Sequence, residues 1–255
     1  MPFTTSHPAI VLPLKKWWPE YVSLSGLMAG AMAPDLLYFL NMTTVHRGFS
    51  HSWPGLFAFC IPAGTIFVIV FHYLIKRPLL LNLPSPLDRI FSGLAQTRLN
   101  LNSNRSILVL LVSVTIGALS HFFWDSFTHH KGVIARSLPF LTDQITLFGS
   151  KIYISFIFQH ISTLVGFIFM VYFFWGGNNL PEPVADFKPR KGKLLFWIIG
   201  GILSLMFALF VCWFFEHYVP HYMVSLYQTI GLAGWAGFFY YLIIRALLNR
   251  ENRQN

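Results

Sequence analysis

Long apolar stretches recur along this chain, at about 22–41, 53–75, 107–127, 154–175, 194–215 and 226–248. About 20 such residues are enough to cross the hydrocarbon core of a bilayer as a helix. The pattern predicts an all-α, polytopic transmembrane bundle of about six spans, folded as a single integral membrane domain over residues 1–255. Composition agrees: 55% of the 255 residues are hydrophobic and only 11% are charged, against roughly 25% charged in an ordinary soluble domain. The opening residues Met1 to Leu14 lack a basic stretch followed by a long apolar core, so no cleavable signal peptide is expected.

The first span is the weakest. Gly26, Ala29, Gly30, Ala31, Ala33 and Pro34 make it rich in small residues and Asp35 interrupts it; small residues let helix backbones approach closely in lipid. The connection 76–106, with Pro78, Pro84, Pro86 and several Asn, reads as a polar surface loop, and 176–193 reads as a Gly/Pro-rich linker ending in a basic patch. Cys60 and Cys212 sit inside apolar runs, where a thiol behaves as a small hydrophobe, so neither a disulfide nor a Cys metal site is expected. The net charge of +9 raises nucleic acid as a partner, but the cations fall between apolar runs with no aromatic-basic platform. No nucleic-acid partner is expected.

Loop charge orients the chain, because short cytoplasmic loops carry the excess of Lys and Arg. One side collects Lys15 and Lys16, the cations of 76–106, those of 188–193, and Arg245, Arg250 and Arg253, whereas the other has Arg47, Lys131, Arg136 and Lys151. Both termini are therefore expected in the cytoplasm. Asp35, the His46 to His51 loop, His121 to His130 and His160 then converge on the extracytoplasmic boundary. Ionisable groups at membrane depth mark functional sites.

His121 and Asp125 are four apart and share a helix face, which His129 extends. Imidazole with carboxylate suits a divalent ion, zinc first among them, although the pair alone can equally be a hydrogen bond or a helix cap. Asp35 in an apolar helix needs a cation or a donor. His46 and His51 bracket Arg47 and Gly48; the Arg47 fork suits an anionic substrate. His160 is a further ligand or a substrate wall. Asp35, Asp125 and Arg47 are the candidate catalytic residues, and the candidate ligands lie within residues 1–165.

The opening Met-Pro-Phe-Thr-Thr-Ser-His7, then Ala33-Pro34-Asp35, His46-Arg47-Gly48-x-Ser50-His51-Ser52, Ser120-His121-x-x-x-Asp125-x-x-Thr128-His129 and Gln159-His160 together resemble the bacterial DUF4184 family. That family is similar in motif order to proteins described as membrane-bound metal-dependent hydrolases. More distantly, the order resembles the zinc-dependent phospholipases C. The resemblance implies His7, Asp35, His51, His121, Asp125, His129 and His160 as ligands. One departure stands out: Leu164 occupies the place of the glutamate that follows the last zinc histidine of the phospholipases. His7 precedes the first span, on the side that loop charge makes cytoplasmic, so either it is no ligand or residues 1–21 fold back into the membrane.

These readings point to a metal-dependent hydrolase of the bacterial cytoplasmic membrane acting on a lipid or lipid-linked ester at the extracytoplasmic face, and the resemblance implies a phosphoester. Two rivals remain open: a metal-ion or proton transporter, and a non-catalytic membrane protein with a structural metal.

Overall fold

A computed structural model describes residues 4–41, 47–147, 149–175, 190–218, 237–238 and 241–243. A 3-10 segment, Thr4–Ile10, leads into the short helix α1 (Leu12–Trp17) and then α2 (Leu24–Asn41), followed by α3 (Arg47–Ser50). The long helix α4 (Trp53–Leu81) contains π-turns at Leu56–Cys60 and Phe71–Ile75. Next come α5 (Leu87–Gln96), α6 (Asn104–Thr128), α7 (Val133–Ser137), α8 (Pro139–Thr142), the strands β1 (Gln144–Leu147) and β2 (Ser150–Tyr153), α9 (Ile154–Trp175) and α10 (Arg190–Tyr218). The strands form one antiparallel hairpin that pairs Ile145 with Ile152 and Leu147 with Ser150.

Four helical stretches, not six, are long and apolar enough to cross a membrane among the described residues: Trp53–Leu81, Asn104–Ser137, Ile154–Trp175 and Gly192–Phe210. They make the chain a candidate multi-pass membrane protein. The expected first span falls short because its apolar part is only Leu24–Leu37; the expected span 226–248 lies largely outside the described residues. The expected loop 76–106 is also corrected, since Lys76 to Leu81 continue α4 and Leu87–Gln96 is a helix. Its Asp88, Ser92 and Ala95 recur at helical spacing and are buried, a face that the proline and asparagine content concealed.

The chain divides into two compact units. The first comprises Met1–Asp35, Phe49–Val68 and Asn100–Asn179. Here α2 and α6 run side by side in the same direction, with Gly30 against Val114 and Gly117 against Leu27 and Ala31. A Cβ on Gly30 would stand 2.1 Å from the Val114 carbonyl oxygen, and one on Gly117 2.3 Å from that of Leu27. This is the close backbone contact that small residues permit in lipid. Val11, Val22, Leu27 and Ala31 form a buried cluster beside it, with Leu14 and Ile116 packed on.

The second unit comprises Leu36–Gly48, Ile69–Leu99 and Leu180–Asn255. Ile75, Phe196, Tyr241 and Leu242 are its apolar core. Lys193 on α10 donates to the Asp88 carboxylate of α5, both side chains being nearly buried. Trp197 Nε1 donates to the Asn82 carbonyl at 2.7 Å, and Lys76 Nζ to Thr97 Oγ1 at 2.9 Å. Burial opposes the charge on Asp88, but the Lys193 ammonium outweighs it and holds the carboxyl below its usual range.

Valine at Gly30 or Gly117 must push two backbones apart, so either variant should lower the melting temperature in detergent, by overpacking of about 1–3 kcal/mol. The depressed Asp88 pKa contributes stability that is present above its unfolded value of about 3.9 and is lost as pH falls. Asp88→Asn should therefore melt earlier than wild type at pH 7 and lose less on acidification, as read by thermal melts across an acid series.

Candidate metal centre

Local structure aims each ligand-type side chain. Ser52 caps α4, accepting from the Gly55 amide, with Pro54 in the first turn where its missing N–H is no loss; this fixes His51 immediately before the helix. Cys60, a buried free thiol, donates from Sγ to the Ser50 carbonyl at 3.1 Å and pins the same corner. The approach of Gly30 to α6 sets the tip of α2, and with it Asp35, beside His121.

His121 is wholly buried, and its Nδ1 lies 2.8 Å from the Ala31 carbonyl. A carbonyl only accepts, so Nδ1 carries a proton, and in the neutral ring Nε2 keeps its lone pair. That Nε2 faces Asp35 Oδ1 at 3.7 Å and Asp125 Oδ2 at 3.4 Å. His51 Nε2 faces the same two oxygens at 3.6 and 3.7 Å, while its Nδ1 rests 3.2 Å from Ser50 Oγ. Among the described residues, neither His121 Nε2 nor Asp35 Oδ1 has a hydrogen-bond partner. Ligands about 2.0–2.2 Å from a tetrahedral ion stand about 3.3–3.6 Å from one another.

The 3-10 segment adds His7. Its ring stacks on His121 with centroids 3.9 Å apart, and Nε2 faces Asp125 Oδ1, the carboxylate oxygen turned away from His51, at 3.7 Å. Burial pushes the His7 imidazole down to about 3. It is therefore neutral at pH 7, with a lone pair to offer. In a 3-10 helix residues three apart lie on one side, and Thr4 accordingly reaches the same centre, donating from Oγ1 to Asp35 Oδ2 at 2.6 Å.

Orphaned polar atoms decide whether a metal fits. His7 Nδ1 and Nε2, Asp35 Oδ1, His121 Nε2 and Asp125 Oδ1 are buried with no hydrogen-bond partner among the described residues. Such groups in one place are costly unless a cation or donor satisfies them. Two sets can hold a divalent ion, His7 with His121 and Asp125, and Asp35 with His51 and His121. The side chains of His7, Asp35 and His121 are at most 2% exposed, and those of Asp125, His51 and His129 are 16–24% exposed. The centre thus has a closed floor and a rim open on one side.

Of the residues expected from sequence, the structure brings together His7, Asp35, His51, His121 and Asp125. His129 sits at the rim, with Nδ1 3.6 Å from Asp125 Oδ1 but 3.2 Å from the Asp125 backbone carbonyl. His160 is turned outward on α9 and packs edge-on against Phe156 at 4.5 Å. Its neighbour Gln159 is the buried residue there, for the inward face of α9 runs through Ser155, Gln159 and Gly166. His46 and the Arg47 side chain lie outside the described residues. Residues 7–21 run back along α6, from His7 beside His121 to Tyr21 beneath Arg105 at the opposite end of that helix. Sequence reading did not single out Thr4, whose signal is its three-residue offset from His7.

The family described as "Domain of unknown function (DUF4184)" matches residues 1–247, and the chain belongs to it. No curated protein and no solved structure matches the chain.

Thr4 holds Asp35 without being among the grouped ligands. Thr4→Val should weaken zinc affinity about tenfold, the usual scale for a lost outer partner. Titration against a competing chelator, with melting temperature as control, checks this.

Proposed function

We propose that this DUF4184 chain is a metal-dependent hydrolase of a lipid or lipid-linked phosphoester, acting where the bundle meets the headgroups. The observation that carries the metal is the convergence of orphaned His and Asp atoms on one centre. His51, His121, Asp35 and Asp125 would hold a divalent ion, zinc first by its nitrogen and oxygen donors. When bound, the ion supplies Lewis acidity to the scissile ester and to water.

The two carboxylates suit different tasks. Asp35 is almost wholly buried and its second oxygen is taken by Thr4, so it neutralises the centre and orients it. Asp125 is less buried as a residue and holds Oδ1, without a hydrogen-bond partner among the described residues, beside His7 Nε2; in this reading that oxygen would take the proton of the attacking water. His129 stands next to it at the rim. The bond type rests on the distant phospholipase resemblance, and the lipid substrate on the site's position near the end of an apolar helix.

A transporter needs polar groups through the depth of the membrane. Between Arg105 and His121, α6 carries no ionisable residue, and its hydroxyls are spent on its own backbone, Ser113 to Val109, Thr115 to Leu111 and Ser120 to Gly117. The open rim likewise supports chemistry over a structural ion, which protein ligands would enclose.

Purified wild type should carry a stoichiometric divalent metal by elemental analysis, and His121→Ala and Asp125→Ala should lose it. Wild type without metal, or variants retaining all of it, removes the centre. Phosphoester hydrolysis in lipid nanodiscs should vanish with chelator and return with zinc; turnover indifferent to chelator rejects the mechanism.

A further inference from the structure

Between α6 and α9 the chain makes a compact cap at the site's end of the bundle, formed by α7, α8 and the β-hairpin. The hairpin is two-faced. Ile145, Leu147 and Ile152 alternate onto one face, and Gln144, Thr146, Lys151 and Tyr153 onto the other. The polar face is anchored, with Tyr153 stacked on His130 at 4.5 Å and nearly parallel. The apolar face is not covered, for Ile145 is 39% and Leu147 42% exposed. Val133, Leu138 and Phe140 on or beside α7 and α8 are exposed as well. An isolated two-stranded hairpin is marginal in water, so an apolar face left in solvent is an unfavourable end state.

We propose that this cap lies in the headgroup layer of an anionic phospholipid leaflet, with Ile145 and Leu147 inserted and the neighbouring cations on phosphates. Two observations choose that occupant. Tyr153 is followed directly by α9, whose Phe156, Phe158, Ile161, Leu164 and Val165 are all exposed, so the hairpin continues the lipid-facing surface at its edge. Exposed Lys131, Arg136 and Lys151 outnumber the single exposed acid of the cap, Asp143; basic residues beside an apolar face are what attract an anionic membrane surface. The cap begins directly after His129 at the rim of the metal centre. Taken with the proposed hydrolase, it is the element that presents a lipid headgroup to that centre.

The test places the photocrosslinking residue p-benzoylphenylalanine singly at 145, 146 and 147 in the full-length protein, in nanodiscs of phosphatidylglycerol and phosphatidylcholine. Lipid adducts at 145 and 147, with few at 146, are expected, and fewer still without phosphatidylglycerol. Equal adducts at all three positions, or adducts only to a second copy of the chain, overturn the proposal. This readout needs no turnover, so it stands or falls apart from the hydrolase reading. Ile145→Ser/Leu147→Ser should then lose turnover of bilayer lipid while keeping its metal and its activity on a water-soluble phosphodiester; equal loss on both substrates rejects the presenting role. Should no phosphoester be turned over by wild type, the hydrolase reading fails while the crosslinks still decide the cap.

Discussion

Two helix backbones in contact hold the rest of the first unit in register. Gly30 of α2 meets Val114 of α6, and Gly117 of α6 meets Leu27 and Ala31 of α2. No side chain separates the helices at these points, so the His121 ring reaches the Ala31 carbonyl directly. That bond selects the imidazole tautomer and points the other nitrogen at Asp35 and Asp125. Close packing, a fixed proton and an aimed lone pair are thus one arrangement. A wider helix spacing would lose all three.

The electrostatics of the centre follow from the same burial. Two carboxylates lie within reach of the same histidine nitrogens in a region nearly closed to water. Like charges there repel strongly, because little solvent screens them. Thr4 offers Asp35 one hydrogen bond, which leaves its other oxygen for the centre. A divalent cation would offset both carboxylates at once, with neutral His7 adding no charge.

Much of this was legible in the sequence, for identifiable reasons. Asp35, His121 and Asp125 stand out because each is ionisable within an apolar stretch, His51 because it closes a short His/Arg loop between two such stretches, and the four-residue step from His121 to Asp125 survives in any helix. Span counting misled at α2 for the same underlying reason. Small residues that make a good helix contact make a poor hydropathy signal, and Asp35 cuts the apolar stretch short. His160 lies on the outward face of α9. Residue type suggested a ligand, but helix phase decides which side chain faces inward, and on α9 that phase selects Gln159. The buried face of α5 was hidden by prolines that precede the helix rather than interrupt it.

Loop charge assumes that chain order alternates across the membrane, and the N-terminal segment departs from that assumption. Tyr21 lies under Arg105, whereas His7 touches the centre at His121, about 24 Å farther along α6 at 1.5 Å per residue. The segment covers this distance with a 3-10 stretch and one short helix, neither long enough to register as a span. Lys15 and Lys16 can then stay at the Arg105 end, as the charge rule asks, while His7 serves the opposite end. A structured segment too short to count as a span thus carries the chain back to His121.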